Sequence, residues 1–529
     1  MDKDLAALQE VRDQLQRARD ARLIMEQASQ ADADRWAEAV AEAGRREAVR
    51  LAKMAVEETG YGHVTGKTLK NIFATEFSWK KFKSLKTAGV IHRDEAQGVI
   101  EIAHPAGVVA AVIPTTNPTS TALFKCLIAM KARCPIVVSP HPRAKKCIAE
   151  SCRIAAEAAR AAGAPEGAIG WLTTPTLDST QHLMSHRWTS IVLATGGPGL
   201  VQAAYSSGNP AIGVGAGNSP VYIHASADVE KAVRAIVLGQ VFDNGTICSS
   251  EQSIVCDRSL ERAVLEAFTR HGAHICSPEE IKKLEPVINK NGHMNAEIVG
   301  QFPRRLAEMA GFSVPADTTV LIAPYEKIGK DGPLSIEKLT PLLTFYTADS
   351  QREAIEKCLA VIHYGGLGHT CGIHAQDKQA VEEFGLRMPA CRINVNSPTT
   401  MGSIGYTTNL SPSMTLGCGT PGGNIFSDNI GPLHLINTKR IAFVNEAMLA
   451  EDERLEHQLR REFGDPRLPW GDGAAAHAPA PSYRSAPAVA HTGYRAPGAA
   501  TPQPTPVGFG ASPLTPADIE AIISRQSGR

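Results

Sequence analysis

The stretch Gly107-Val-Val-Ala-Ala-Val-Ile-Pro-Thr-Thr-Asn-Pro118 decides the fold. Seven residues without a polar side chain run into a Pro/Thr/Asn turn, and a helical pattern follows over Thr119 to Arg133. A strand apolar at every position, not at alternate ones, is buried on both faces, as in a parallel sheet covered by crossover helices. The same rhythm continues downstream. Pro135 to Ser139 is a second short strand, with a helix over Ala144 to Ala162. Trp188 to Ala194 is a third, from which Gly196-Gly197-Pro198-Gly199 opens a helix through Tyr205. Pro220 to His224 is a fourth, preceded by Gly213-Val-Gly-Ala-Gly-Asn218, which reads as another glycine-rich turn. The expectation is an α/β fold on parallel sheet, with a second α/β unit over 225–405 that shows no repeat of the first.

Residues 4–58 are rich in Ala, Glu, Arg and Gln and read as helices, broken near Ser29 to Ala33. Gln97 to Ala103 alternates, with Ile100 and Ile102 on one face and Glu101 on the other, as an exposed strand or hairpin does. The far end of the chain differs. From Gly471 to Pro513, 26 of 43 residues are Ala, Pro or Gly, with no Leu, Ile or Met. Such a segment buries too little apolar surface to offset chain entropy and is expected to be a disordered linker. Beyond it Thr515 suits an N-cap, Pro516 the first helical position and Asp518 the first turn, with Ile519, Ile522 and Ile523 on one face.

The bulk numbers exclude several classes. Lys plus Arg and Asp plus Glu both total 54, so nothing electrostatic favours nucleic acid or an anionic membrane as a partner. Aromatics are 5%, too few for a base-stacking platform. The eleven cysteines are an odd, scattered set without a C-x-x-C pair, which points to free thiols in a reducing cytosol. Met1 to Arg17 has no signal-peptide apolar core, and no run reaches the roughly 18 apolar residues of a membrane span. A soluble, intracellular protein is expected.

Four segments carry chemistry. Thr195-Gly-Gly-Pro-Gly199 follows a strand and opens a helix, a geometry that suits a phosphate or pyrophosphate. Asn117 stands at the C-terminal end of a strand, where it either caps the next helix or offers its amide to an oxyanion. Cys248, in Val-Phe-Asp-Asn-Gly-Thr-Ile-Cys-Ser-Ser (241–250), is either a core thiol or a nucleophile. His363 to His374 gathers three histidines and Cys371 in what reads as a Gly-rich loop. Its spacing fits no usual zinc pattern, so no metal is expected and a general base or positioning group is favoured.

These segments resemble the CoA-acylating branch of the aldehyde dehydrogenase superfamily. The resemblance covers roughly residues 1–446 through IPTTNPTST, SPHPRAKK, LATGGPG, AIGVGAGNSP, FDNGTICSSEQS, EKLTPLL, GGLGHT and MTLGCGTPGGN. The most similar groups are the acetaldehyde dehydrogenase half of bifunctional aldehyde-alcohol dehydrogenases and the propionaldehyde dehydrogenases of bacterial microcompartments. The resemblance implies Cys248 as catalytic thiol, Asn117 as oxyanion amide and His369 as an aid to proton transfer. It implies cofactor contacts at Ser139, His141, Pro142, Thr195, Gly196, Gly197, Gly213, Val214 and Glu337, the last on the nicotinamide ribose. Ser139 falls where the hydrolytic branch carries a lysine, which leaves NAD against NADP open. Val214 falls where that branch carries its water-activating glutamate, so the thioester is expected to pass to coenzyme A.

The implied domains are a Rossmann-like cofactor domain over 1–219, with an oligomerisation hairpin near 92–105, and a catalytic α/β domain over 220–405. Residues 406–446 return to the cofactor domain and complete a small oligomerisation arm. A helical extension (447–470), the linker (471–513) and an amphipathic helix (514–526) follow. That last helix resembles encapsulation peptides, and the absence of a following alcohol dehydrogenase half favours the microcompartment relatives. The expected function is NAD-dependent oxidation of propionaldehyde or acetaldehyde to acyl-CoA by a homodimer or homotetramer, packaged through a shell protein in a microcompartment lumen. The rival readings are a hydrolytic enzyme making free acid and a non-catalytic shell-binding scaffold.

Overall fold

The computed structural model describes residues 3–464. Two all-parallel sheets organise it. The first has five strands in the spatial order Ile169–Trp171, Ile136–Pro140, Val109–Ile113, Ile191–Thr195, Ala211–Val214. The chain starts in the middle, winds outward to one edge, then returns beside its first strand and winds to the other edge. The reversal lies between Val109–Ile113 and Ile191–Thr195, and ligands of open α/β sheets bind at the carboxyl ends of strands at such a point.

The central strand is buried at all five positions, as its unbroken apolar run requires. The next helix, Pro118–Lys131, is buried along its whole length, its two lysines included. Lys125 is accommodated because its Nζ donates to Val112 O (2.9 Å), Leu193 O (2.8 Å) and Thr195 Oγ1 (3.0 Å). It thereby ties together the two strand ends that flank the reversal, and burial pulls its ammonium down to about 7. The second sheet has seven strands in the order Ala273–Ile275, Val320–Pro324, Leu342–Ala348, Glu251–Asp257, Ser219–Ile223, Gly368–His374, Ala390–Val395.

Three features depart from the sequence expectation. Gly213 and Val214 belong to a strand, Ala211–Val214, and the turn is confined to 215–218. The three-residue strand Ile169–Trp171 carries no periodicity to read. Residues 368–374 are a strand buried at every position, not a loop. The N-terminal helices are Lys3–Met25, Gln30–Arg46 and Ala48–Thr59. A Ser29–Asp32 capping box makes the expected break, and a second break falls at Glu47.

Gly89–Asp94 and Val99–Pro105 pair antiparallel, and Ile436–Ala442 extends their sheet. Residues 3–94 and 99–441 form one compact unit. Residues 95–98 and 442–464 belong to a second, which contains the helix Glu446–Phe463 capped by Asn445. Among the described residues no helix is long and apolar enough to cross a membrane. The Ala/Pro/Gly linker and the amphipathic helix expected over 514–526 lie outside the described residues.

Candidate active site

A cavity of about 860 Å³ opens at the reversal point of the five-stranded sheet. Its wall gathers Asn117, Ser139, His141, Pro142, Thr195, Gly196, Gly197, Val214, Cys248 and Glu337. Two of the sequence-derived candidates are not on that wall. Gly213 is paired within its strand region, with Tyr205 Oη accepting from its N–H at 3.1 Å and Asn424 Nδ2 donating to its carbonyl at 2.6 Å. His369 is fully buried behind Cys248.

The cofactor end of the cavity has the form a dinucleotide needs. A Cβ built on Gly197 or Gly215 would meet nothing within 4 Å, so the backbone there faces open space. Gly197 is also the N-cap of the helix Pro198–Tyr205, whose amino end attracts phosphate. Ser139 and Thr180 share a hydroxyl contact of 2.7 Å at the end of the neighbouring strand. Glu337 accepts from Gly217 N–H at 2.8 Å; burial pushes its carboxyl up to about 8, against the pull of that N–H and of Lys338. The residues present therefore fit a nicotinamide dinucleotide.

At the other end, Cys248 sits half-buried with its Sγ 3.1 Å from His369 Nε2. On the far side of the ring, His369 Nδ1 is 2.9 Å from Thr370 Oγ1, whose own proton goes to Ser403 Oγ at 3.2 Å. Thr370 therefore accepts, Nδ1 carries the ring proton, and Nε2 presents its lone pair to the thiol. Burial pushes the Cys248 thiol up to about 12, with Glu337 and Cys418 adding and Arg392 opposing. Burial, with Arg392, pulls the His369 imidazole down to about 3. The resting pair is a thiol and a neutral imidazole.

The remaining histidines are not brought into this site. His363 is exposed near the end of its helix, and His374 lies five residues beyond His369, on the opposite face of the strand. Asn117 occupies the N-cap position of Pro118–Lys131 without making a capping bond. Its Nδ2 donates instead to Thr116 Oγ1 (3.0 Å) and Thr246 O (3.2 Å), and its Oδ1 accepts from Lys70. The capping reading is thus set aside.

Sequence reasoning passed over the residues packed behind this wall. Arg392 donates to His369 O at 2.8 Å. On the wall itself, a Cβ on Gly217, in the glycine-rich turn, would lie 2.0 Å from Cys248 O and 3.3 Å from His369 Cγ. Lys67, Lys70 and Asp243 form a buried ionic cluster beneath Asn117. Its available signal was the i, i+3 spacing of two lysines in a short helix, a pattern that solvated faces share.

The sequence profile of the aldehyde dehydrogenase family matches residues 3–310. The chain belongs to the aldehyde dehydrogenase family. It is 46% identical over 426 residues to the bifunctional aldehyde-alcohol dehydrogenase of Escherichia coli, covering 80% of this chain and 48% of that one. It thus spans about half the length of such curated relatives. The structure superposes on an acetylating aldehyde dehydrogenase from Geobacillus thermoglucosidasius with a TM-score of 0.83 and 52% identity, over 84% of this chain and 98% of that one. A propionaldehyde dehydrogenase from Rhodopseudomonas palustris, with bound CoA and an acylated cysteine, matches with a TM-score of 0.75 and 25% identity, over 82% and 97% of the two chains.

Proposed function

We propose that this member of the family oxidises a short-chain aldehyde, such as propionaldehyde or acetaldehyde, to its acyl-CoA with NAD, through a thioester on Cys248. The observation that carries this reading is the contact between Cys248 Sγ and an imidazole whose lone pair faces it, on a cavity wall shared with Asn117 and Glu337. The Rhodopseudomonas relative, with CoA bound and its cysteine acylated, supports it.

In this scheme His369 takes the Cys248 proton as sulfur adds to the aldehyde carbonyl. The oxygen becomes an oxyanion, and Asn117 meets it by exchanging its longer bond, the one to Thr246 O, for one to the substrate. The nicotinamide, when bound, supplies the hydride acceptor. Glu337 would hold its ribose and the 195–197 turn its pyrophosphate, which would orient it. Val214, on the same cavity wall as the thioester left on Cys248, is 1% exposed and has no group to deprotonate water. The CoA thiol is then the acceptor, and one thioester replaces another of similar energy, so the reaction runs both ways.

The deciding assay follows products by mass spectrometry with and without CoA. Acyl-CoA formation and NADH release that both vanish in Cys248→Ala support the scheme. Free acid formed at equal rate without CoA favours the hydrolytic reading. No NADH with any aldehyde favours a scaffold.

The proposed setting is a microcompartment lumen, with 514–526 as tether to a shell protein and a homodimer or homotetramer joined through the arms near 92–105 and 433–446. It rests on the sequence pattern of those segments. Deleting 512–529 should spare activity and abolish packaging, and sedimentation reports the assembly.

A further inference from the structure

Beneath the reacting thiol lies an ionic cluster that the proposed scheme does not use. Lys67 and Lys70 share one face of the helix Val64–Ile72, and their side chains are 2% and 1% exposed. Both pair with Oδ2 of the fully buried Asp243. Asp243 belongs to the turn Phe242–Gly245 that leads into Cys248, where Asp243 and Asn244 have φ of 53° and 52°. Non-glycine residues in that region are strained and persist where their surroundings over-determine them. The surroundings here do so. Oδ1 of Asp243 accepts from His63 N–H at 2.8 Å, and a Cβ on Gly62 would lie 1.9 Å from the same oxygen.

Each ammonium also reaches the turn that carries Asn117. Lys67 Nζ donates to Thr116 O at 3.1 Å. Lys70 Nζ donates to Asn117 Oδ1 and, at 2.7 Å, to Thr246 Oγ1. An ammonium has three donors and no acceptor, so Asn117, Asp243 and Thr246 saturate it. The Asn117 atom that faces Lys70 is therefore the oxygen, and the NH₂ is turned toward the backbone entering Cys248. Two cations meet one carboxylate here, and among the described residues no second carboxylate pairs with either ammonium. A buried excess positive charge is costly at rest and is relieved by an anion forming close by.

We propose that Lys70 is a positioning residue for aldehyde oxidation: from behind the wall it fixes and polarises the Asn117 amide, so that the forming oxyanion meets a charge-assisted donor chain. This rests on the proposed roles of Cys248 and Asn117. The charged and titratable groups facing Lys70 are Lys67 on its own helix, Asp243 on the 242–245 turn with His63 behind it, and the Cys248 thiol beyond Thr246. Burial pulls the Lys70 ammonium down to about 8, with Asp243 opposing and Lys67 adding to the fall. Raising the pH through 8 discharges Lys70 and weakens the chain.

The test measures NADH formation from propionaldehyde and CoA by full-length wild type, Lys70→Met and Lys70→Arg, each first checked for cooperative unfolding. In folded Lys70→Met, kcat falls about 100-fold while the aldehyde KM stays within about threefold. The decline of wild-type kcat above pH 8 is shallower in that variant, which keeps only the part due to Glu337. Lys70→Arg, charged to far higher pH, keeps about a tenth or more of the activity and moves the decline upward. The proposal is overturned by a folded Lys70→Met with kcat within about threefold of wild type. Because Glu337 also ionises near 8, the comparison is of steepness: a decline above pH 8 as steep in Lys70→Met as in the wild type, or one missing from the wild type, overturns it equally. Should Lys70→Met not fold, Lys70→Arg decides: an upward shift of the decline supports the proposal, an unshifted one defeats it. Cys248→Ala keeps the two ideas apart, because activity surviving there defeats the thioester scheme itself, whatever Lys70 does.

Discussion

His369 Nε2 stands 3.1 Å from Cys248 Sγ as a hydrogen-bond acceptor, and the hydroxyl relay Thr370–Ser403 on the other side of the ring fixes that role. Both partners are uncharged at neutral pH, since the thiol is pushed up to about 12 and the imidazole down to about 3. In the proposed scheme the thiolate therefore forms as the sulfur attacks, not beforehand. Replacing His369 by Ala should lower the NADH burst rate at neutral pH by about 10²–10⁴-fold. The deficit should shrink as pH rises toward 12, where hydroxide can remove the thiol proton unaided. A deficit independent of pH would show that His369 serves only to pack the thiol.

The backbone of the cysteine turn is pressed directly against residue 217. A Cβ there would sit 2.0 Å from Cys248 O, a carbonyl that cannot move without moving the thiol. Gly217→Ala should therefore cost about 10²-fold or more in kcat. Cofactor affinity, read by fluorescence quenching on NADH binding, should change less, because only the Glu337 contact to Gly217 N–H is disturbed and the 195–197 turn is untouched. Equal losses in both would mean that the substitution unfolds the wall as a whole.

Glu337 adds to the upward push on the Cys248 thiol only when it carries its charge. Its own carboxyl titrates near 8, so the repulsion is absent below that pH and grows above it. Glu337→Gln should leave iodoacetamide alkylation of Cys248 unchanged near pH 7 and raise it about three- to tenfold above pH 8. The same sign applies to stability. A carboxyl raised in the fold stabilises at pH below its ordinary value of 4.5, and that contribution is lost as pH climbs through 8. The wild type should accordingly lose more melting temperature than Glu337→Gln between neutral pH and pH 9.

How far the sequence reveals this site depends on the range of each signal. The strand Val109–Ile113 is legible because burial on both faces leaves an unbroken apolar run. The strand Gly368–His374 is not, because its glycines mask the β signal. A Cβ at Gly368 would lie 1.9 Å from Cys418 O, and one at Gly372 would lie 2.6 Å from Thr399 Cγ2, so close packing imposes those glycines. Cys248, Asn117, Glu337 and His369 were singled out through motif resemblance; the structure places the first three on one cavity wall and His369 against the thiol from behind it. Lys67 and Lys70 were illegible. Their buried partner Asp243 lies 176 and 173 residues away, and no local pattern separates such lysines from solvated ones.

In the proposed scheme the fate of the thioester turns on Val214, which by resemblance falls where the hydrolytic branch holds a glutamate. Val214 ends its strand, lines the cavity, and packs into the main apolar cluster at 1% exposure. Val214→Glu places a carboxyl in that dry position, so burial will raise its pKa and keep much of it protonated near neutrality. It should cost about 1–3 kcal/mol of stability, read as a lower urea midpoint. Free-acid formation without CoA should be little above wild type near pH 7 and should rise about tenfold or more as the new carboxyl ionises in mildly alkaline buffer. Val214→Gln, which shares the polar burden without a base, should lose stability alike and gain no hydrolysis. If folded Val214→Glu stays as dependent on CoA as wild type at every pH, the missing carboxylate does not set the acceptor. Selection of CoA would then have to come from how water is kept away from Cys248.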